Sequence, residues 1–284
     1  MMDLYLIFAF FSFAAGACVA SFLNVVIWRV PRGESIVSPP SHCPKCDMRI
    51  RWWQNIPIVS YLALRGRCAK CHSSISPRYV VVEIIGGVLF LSAFRHLVPE
   101  GEIAMADLET LLVWWIWIAL MIAGSFIDFD YKLLPDFTTV GGMALGVTHG
   151  AFGTLGSAFS GKGFSSLVTY IPLSVSLLGL AFGFGLLYLV RFLGSKAFGR
   201  EAMGMGDVFL MGAVGAIFGP VAVLATLILS SLFGSIAGVS AIIFSKTKLG
   251  RFVEIPYGPY ICMGSLVWMF HGDEILNWYL RMLK

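Results

Sequence analysis

Residues 111–127 read LLVWWIWIALMIAGSFI, an apolar run without a charged residue, and Asp128 follows it directly. Together with residues 108–110 the run is long enough to cross the hydrocarbon core of a bilayer as a helix. Comparable runs recur along the chain, at residues 4–28, 79–97, 137–155, 166–190, 208–219, 221–244 and 255–272. The fold class that they predict is an all-α polytopic membrane protein with about eight transmembrane helices.

The composition of the whole chain agrees with this fold class. Of the 284 residues, 58% are hydrophobic and 13% charged, and the mean hydropathy is +0.83. Soluble domains carry about 25% charged residues. The net charge of +4 does not indicate nucleic-acid binding, because the basic residues flank apolar runs. No Lys or Arg precedes Arg29, so residues 1–28 are predicted to remain as a first transmembrane helix rather than to act as a cleaved signal.

The distribution of basic residues predicts the topology. The eight-span scheme treats Gly219-Pro220 as a turn between two spans rather than a kink in one helix, which would give seven. It places sixteen of the twenty Lys and Arg residues on one side, nine of them in residues 29–78. Cytoplasmic loops are enriched in Lys and Arg, so this side is predicted to be the cytoplasm. Asp128 and Asp207 then lie at the same face of the membrane.

Four of the six cysteines form two pairs in residues 29–78, which is the one sizeable predicted extramembrane segment. The pairs are Cys43-Pro-Lys-Cys46 and Cys68-Ala-Lys-Cys71, with 21 residues between them. This spacing is typical of a four-thiolate zinc site that stabilises a small domain. Two disulfides or unligated thiols are the alternatives, and a reducing cytoplasm disfavours the disulfides. The predicted domains are therefore residues 1–28, a first transmembrane helix, 29–78, a small Cys-rich cytoplasmic domain, and 79–284, the remaining membrane domain.

Two acidic positions next to apolar runs are candidates for catalysis. Asp128 ends one run, and Gly204-Met205-Gly206-Asp207 leads into another. Two carboxyl groups that share a proton hydrolyse peptides, because one serves as base while the other serves as acid. Gly204 and Gly206 would let the backbone pass close to an extended substrate. The alternatives are a helix N-cap for Asp207 and solvated helix ends for Asp128 and Asp130, which point apart on a helix and cannot pair with each other.

Motifs along nearly the whole chain resemble the bacterial type IV prepilin leader peptidases, membrane aspartyl proteases that also serve type II secretion. Besides the two cysteine pairs, the motifs are Ala20-Ser21-Phe22-Leu23-Asn24, Arg29-Val30-Pro31, Gln54-Asn55-Ile56-Pro57, Ser60-Tyr61-Leu62, Gly66-Arg67-Cys68, Ile127-Asp128, Leu134-Pro135-Asp136, Gly204-Met205-Gly206-Asp207 and Ile255-Pro256-Tyr257-Gly258-Pro259-Tyr260. Ala20 departs from the family, whose members commonly have glycine there.

The resemblance implies that Asp128 and Asp207 are the catalytic pair, supported by the loop with Gly204 and Gly206. It implies cleavage of type IV prepilins or pseudopilins after the glycine that ends a short basic leader. The site would lie at the cytoplasmic face of the bacterial inner membrane. Many members also methylate the new N-terminus with S-adenosylmethionine, an activity associated with the Cys-bearing domain. The sequence does not identify the residues that bind this methyl donor.

Two other functions remain open from the sequence. One is a peptidase that lacks the methylation activity. The other is a transporter or membrane scaffold whose intramembrane aspartates bind protons or cations. Glu83, about one turn inside the second predicted span, is expected to interact with the helix dipole.

Overall fold

The computed structural model describes residues 2–98, 105–160, 171–201, 203–244 and 256–283. Within these ranges the extended elements are helices, and two isolated β-bridges lie in the Cys-rich segment. The all-helical prediction is confirmed. In chain order the helices are α1 Met2–Arg29, α2 Val59–Ala63, α3 Arg78–Leu97, α4 Met105–Tyr131, α5 Asp136–Ser160, α6 Leu173–Phe198, α7 Met205–Phe244 and α8 Gly258–Met282.

The chain is a multi-pass membrane protein. In the described part of the chain, five helices are long and apolar enough to cross a bilayer, namely α1, α3, α4, α6 and α7. Helices α5 and α8 have 25 residues each, which is also enough length. Their sequences are more polar, since α8 carries Asp273, Glu274 and Arg281 in its second half.

Several helix boundaries differ from the predicted spans. The described part of α6 begins at Leu173 instead of residue 166. Pro172 precedes it in an extended conformation with ψ 157°, and because proline has no N–H it could not continue a helix from the residues before it. It continues to Phe198, and Gly199 ends it with a left-handed φ of 66°. Arg191 and Lys196 are therefore inside the helix rather than in the loop predicted before Asp207. Five of the twenty Lys and Arg residues counted for the predicted topology lie outside the described ranges, namely Lys162, Lys246, Lys248, Arg251 and Lys284, as does the motif residue Ile255.

Helix α7 is interrupted at the position where the sequence predicts a turn between two spans. Gly219 has φ 81° and ψ 178°, which is not helical, and Pro220 follows it. Only glycine adopts this backbone conformation without strain. The residues on both sides are helical, so α7 consists of two helical segments that meet at Gly219.

The chain divides into two compact units, residues 1–123 and 124–284. In the first unit, α1 and α3 pack at very short distance through small residues. A methyl group added to Gly86 would lie 2.5 Å from the Cβ of Ala20 and 2.7 Å from the carbonyl oxygen of Gly16. Small residues four apart are typical of close helix pairs in membranes. Gly86 thus leaves the room that the methyl group of Ala20 occupies.

In the second unit, α7 packs against α5 and α6 in the same manner. Gly146 of α5 lies against the backbone of Ala216, and Gly179 of α6 lies against the backbone of Gly215. The buried hydroxyl of Ser176 is 2.7 Å from the carbonyl oxygen of Ala216 and 3.1 Å from that of Gly146. These contacts hold the first segment of α7, which carries Asp207 at its start, at the centre of the unit.

Candidate active site and metal centre

Asp128 and Asp207 are both buried and lie near each other in the second unit. Asp128 is in the last turn of α4 and 6% exposed, while Asp207 is the third residue of α7 and 8% exposed. The two carboxyl groups are close enough for their charges to interact. Cys262 of α8 is buried and lies within electrostatic range of both carboxyl groups. Residues far apart in sequence therefore form one acidic site.

The structure also tests the alternative roles that the sequence left open for Asp207 and Asp130, a helix N-cap and a solvated helix end. Helix α7 begins at Met205, so Asp207 lies inside the first turn and not at the N-cap position. Its carboxyl group lies beside the backbone amide of Gly204. Asp130 is exposed and points away from the buried side of α4, as its spacing from Asp128 predicts.

The start of α8 contacts Asp128 directly. The backbone N–H of Gly258, the first residue of α8, donates a hydrogen bond of 3.1 Å to Oδ2 of Asp128. The positive end of the helix dipole lies at the same point, so both stabilise negative charge on this carboxyl group. A methyl group on Gly258 would be 2.6 Å from the same oxygen. The approach of α8 to Asp128 therefore requires glycine here.

Leu134, in the connection between α4 and α5, fills the space next to the pair. Methyl groups added to Gly206 and Gly258 would lie 2.9 and 3.1 Å from Leu134 side-chain atoms. A methyl group on Gly204 would make an ordinary contact of 3.6 Å with Oδ2 of Asp207. The small size of Gly206 thus accommodates Leu134, and room for a substrate next to Gly204 stays a prediction.

The two cysteine pairs have the same local backbone structure. The N–H of Asp47 donates to the carbonyl of Cys43 at 2.8 Å, and the N–H of His72 donates to that of Cys68 at 3.0 Å. Asp47 and His72 each follow the second cysteine of a pair, with positive φ values of 57° and 56°. Asp and His adopt this conformation more readily than most residues. Each pair therefore forms a tight turn with both sulfurs on its inner side.

The four sulfur atoms converge to the geometry of a tetrahedral metal site. All lie within 4.8 Å of one another, with 3.8 Å between Cys43 and Cys71 and 3.9 Å between Cys46 and Cys68. Zinc–sulfur bonds of about 2.3 Å in a tetrahedron place the sulfurs about 3.8 Å apart. A disulfide would require about 2.05 Å. The residues thus fit zinc, and the cysteines are not joined to one another.

The pKa values of the cluster thiols shift in opposite directions. The backbone amide of Met48 lowers that of Cys46, but burial and the neighbouring cysteine sulfurs outweigh it and raise the pKa of this thiol to about 11. The backbone amides of Lys45 and Cys46 lower the pKa of the Cys43 thiol to about 6. The hydroxyl of Ser73, 3.1 Å from the sulfur of Cys71, lowers the pKa of that thiol. Thiolates are the form that binds metals. The ring of His42 is exposed and lies 3.2 Å from the carbonyl of Pro40, so the described ligand set consists of sulfurs alone.

Glu83 bonds to a backbone N–H outside its own helix, whereas its position predicted an interaction with the helix dipole. It lies in the second turn of α3, is 8% exposed, and its Oε2 accepts a 2.8 Å hydrogen bond from the N–H of Ile58. Ile58 has φ 63° and ψ −52°, and the N–H of Val59 donates to the carbonyl of Pro57 at 2.6 Å. This is a γ-turn with positive φ, which is strained for a β-branched residue. The buried carboxyl group therefore holds a strained turn in the Cys-rich segment.

Gly258 and Leu134 belong to sequence motifs that by themselves predict no role for either residue. Their contacts with Asp128 and Gly206 follow from the packing of the α8 start against the α4–α5 connection. The glycine between tyrosine and proline in the Tyr257-Gly258-Pro259 motif is a signal that could have indicated a close backbone approach.

Comparisons with known proteins identify the family. Residues 14–97 match the bacterial peptidase A24 N-terminal domain, and residues 115–239 match the type IV leader peptidase family. The relatives include proteins named prepilin leader peptidase/N-methyltransferase. That of Stutzerimonas stutzeri is 32% identical over 98% of this chain and 96% of its own length, and that of Pseudomonas aeruginosa is 33% identical over 94% and 91%.

A relative from Myxococcus xanthus with the same name is 38% identical over 82% of this chain, which spans 63% of that relative's length. No solved structure matches the chain. Two family matches that together cover most of the chain, and the two relatives that it matches over more than nine-tenths of their length, show that the chain belongs to the type IV leader peptidase family.

Proposed function

We propose that this chain is a membrane aspartyl endopeptidase that removes the leader peptides of type IV prepilins and N-methylates the new N-terminus. The observation that carries the proposal is the pair of buried aspartates, Asp128 and Asp207. They belong to helices that are far apart in sequence, yet they lie close enough for their charges to interact. The names of relatives aligned over nearly the whole chain support both activities. Pseudopilins of type II secretion are proposed as further substrates.

Hydrolysis follows from one proton shared by the two carboxyl groups. The ionised carboxylate takes a proton from a water molecule while the water oxygen forms a bond to the scissile carbonyl carbon. The protonated carboxyl group gives its proton to the carbonyl oxygen, which yields a neutral tetrahedral intermediate. Breakdown returns a proton to the departing nitrogen and releases the leader with a free carboxyl group and the pilin with a free amine. The N–H of Gly258 holds Asp128 in place throughout.

The proposed location is the bacterial inner membrane, with the site at the cytoplasmic face. The excess of Lys and Arg in residues 29–78 supports this orientation. We propose eight spans, formed by α1, α3, α4, α5, α6, the two segments of α7 and α8. The interruption at Gly219 supports counting α7 as two. The basic leader of a prepilin would then stay in the cytoplasm while its apolar helix remains in the bilayer.

We also propose three parts within the chain: residues 1–28, the Cys-rich residues 29–78, and the peptidase domain 79–284. Cys43, Cys46, Cys68 and Cys71 would hold one zinc ion, and four protein sulfurs leave no position for a substrate or water. The zinc is therefore structural. Methylation requires S-adenosylmethionine, whose sulfonium carries the methyl group. The amine nitrogen bonds to this methyl group as the S–CH3 bond breaks, S-adenosylhomocysteine leaves as a neutral thioether, and the nitrogen loses a proton.

Conservative substitutions of the aspartates test the peptidase. Asp128→Asn and Asp207→Asn keep the size of the side chain but cannot share a proton between two carboxyl groups. Each is expected to reduce cleavage of a leader-bearing prepilin by the purified protein by at least about 1,000-fold. Asp130→Asn, on the exposed side of the same helix, is the matched control and should cleave normally.

Normal cleavage by either folded variant would refute the assignment of the pair. A transporter or scaffold would instead show no cleavage in the wild-type protein, and a transporter would show flux that depends on the aspartates.

A further inference from the structure

A cavity of about 350 Å³ lies in the first unit, between α1 and the segment that leads to the first cysteine pair. Its α1 wall includes Ser21, Phe22, Val25 and Arg29. Its opposite wall includes Ser41, Asn55 and Pro57. Cavities of roughly 300–1,000 Å³ commonly bind small molecules. This cavity contains none of the residues of the aspartate pair or the cysteine cluster.

The cavity combines apolar surface with one buried cation. The Arg29 side chain is 8% exposed, and its guanidinium donates to the carbonyl oxygens of Ser35 at 2.9 Å and Pro39 at 2.8 Å. Among the described residues no carboxylate forms an ion pair with it. A guanidinium has five N–H donors, so others remain for a ligand. A buried positive charge without an acidic partner favours an anionic group in the adjoining space.

These walls fit the chemistry of S-adenosylmethionine. Its amino-acid carboxylate suits Arg29, the apolar side chains of Phe22 and Val25 suit the adenine ring, and Asn55 and the two serines offer donors and acceptors for the polar edges. We infer that this cavity is the binding site of the methyl donor. The inference rests on the proposed methyltransferase function and adds the site that the function requires.

The strained turn at Ile58 gives this wall its shape. Pro57 lines the cavity and is the first residue of the γ-turn, whose central N–H is bound by the buried carboxyl group of Glu83. Backbone strain persists where surrounding structure compensates for it, and it is often found at ligand sites. Glu83 is accordingly a positioning residue for the Asn55–Pro57 wall and is not among the residues that line the cavity.

Photo-crosslinking locates the site directly. The full-length protein in detergent is irradiated with S-adenosylmethionine that carries a tritiated methyl group, with unlabelled S-adenosylhomocysteine as competitor, and the labelled peptides are mapped. Label within residues 18–41 or 55–57, which line the cavity, is expected, and the competitor should suppress it. Competitor-sensitive label confined to the cysteine pairs, elsewhere in the first unit or in the second unit would overturn the inference and leave the proposed function intact. A wild-type protein that cleaves prepilin but neither binds nor methylates would overturn both the inference and the methylation activity.

Substitutions that fill the cavity provide a second test. Val25→Trp and Ser41→Trp enter it from opposite walls and should each reduce labelling and methylation by about tenfold or more. Prepilin cleavage should stay within about twofold, which also reports intact folding. Ile7→Trp on the exposed side of α1 is the matched control and should label normally. Normal labelling of both filled variants would refute the site.

Glu83 is tested by two substitutions of similar size. Glu83→Gln keeps an oxygen that can accept the Ile58 N–H, whereas Glu83→Leu removes it. The Leu variant should raise the Kd for S-adenosylmethionine by about tenfold without changing prepilin cleavage, and the Gln variant should restore most of the affinity. Equal affinities in the Leu variant and the wild type would exclude a positioning role.

Discussion

The contact between Gly258 and Asp128 makes a quantitative prediction about catalysis. In Gly258→Ala the new methyl group would lie 2.6 Å from Oδ2 of Asp128 and 3.1 Å from Cδ1 of Leu134. An ordinary contact begins at 3.4 Å. The carboxyl group and the start of α8 must therefore move apart by about 0.8 Å, which also lengthens the hydrogen bond from the Gly258 N–H.

A displacement of this size affects rate more than stability. Misplacement of a reacting group by about 1 Å can lower rates by about 100-fold. We therefore expect kcat/KM for prepilin cleavage to fall by about 30- to 100-fold, which corresponds to about 2–2.7 kcal/mol of transition-state stabilisation. The effect should appear mainly in kcat, because the methyl group disturbs the carboxyl pair.

The assay is cleavage of a leader-bearing prepilin by purified variants, accompanied by thermal unfolding. Gly141→Ala in α5 is the matched control, because a methyl group there meets nothing within 4 Å. It should cleave normally and should be stabilised slightly, since alanine favours helix over glycine by about 1 kcal/mol. If Gly258→Ala cleaves within about twofold of the wild type while folded, Asp128 does not depend on this contact and the reasoning fails.

Three further substitutions test the rest of the structure. Cys68→Ser should abolish binding of about one zinc per chain, measured by metal analysis, and should expose the Cys-rich segment to proteolysis, whereas Cys18→Ser should keep the zinc. Unchanged zinc content in Cys68→Ser would contradict the four-sulfur site. Tyr257→Phe removes the hydroxyl 2.6 Å from Oγ of Ser230 and should lower unfolding free energy by about 1 kcal/mol. Adding Ser230→Ala should cause little further loss, and full additivity would argue against the bond. Gly86→Val should destabilise the protein by about 1–3 kcal/mol through overpacking against α1, and an unchanged Tm would refute the close contact.

The helices were predictable because hydropathy depends only on the residues within each segment. Residues 111–127 indicate a membrane helix without reference to any other part of the chain. The interruption at Gly219 was also visible as Gly-Pro between two apolar runs. The start of α6 was less predictable, because Pro172 separates apolar residues that hydropathy alone assigns to one span.

The candidate site was predictable in its residues but not in its contacts. Spacing within each cysteine pair sets the local turn, so the sequence indicated the cluster, and the structure brings its sulfurs to 3.8 and 3.9 Å. The contact of Glu83, in contrast, was not predictable from the sequence. Its position suggested a dipole interaction, but its partner is Ile58, which lies outside its own helix and is reached only through folding of the Cys-rich segment.

The sequence by itself determined the membrane helices, the cysteine pairs and the family, because each is written in residues that are close together or in an ordered set of motifs. Only the tertiary structure decided that Asp207 lies within electrostatic range of Asp128 and that the Gly258 N–H bonds to Asp128. The position of Asp207 depends on Gly146 of α5 and Gly179 of α6, which let these helices pack closely against α7. Such packing depends on the shapes of both partner helices, and the pattern of one segment does not contain that information.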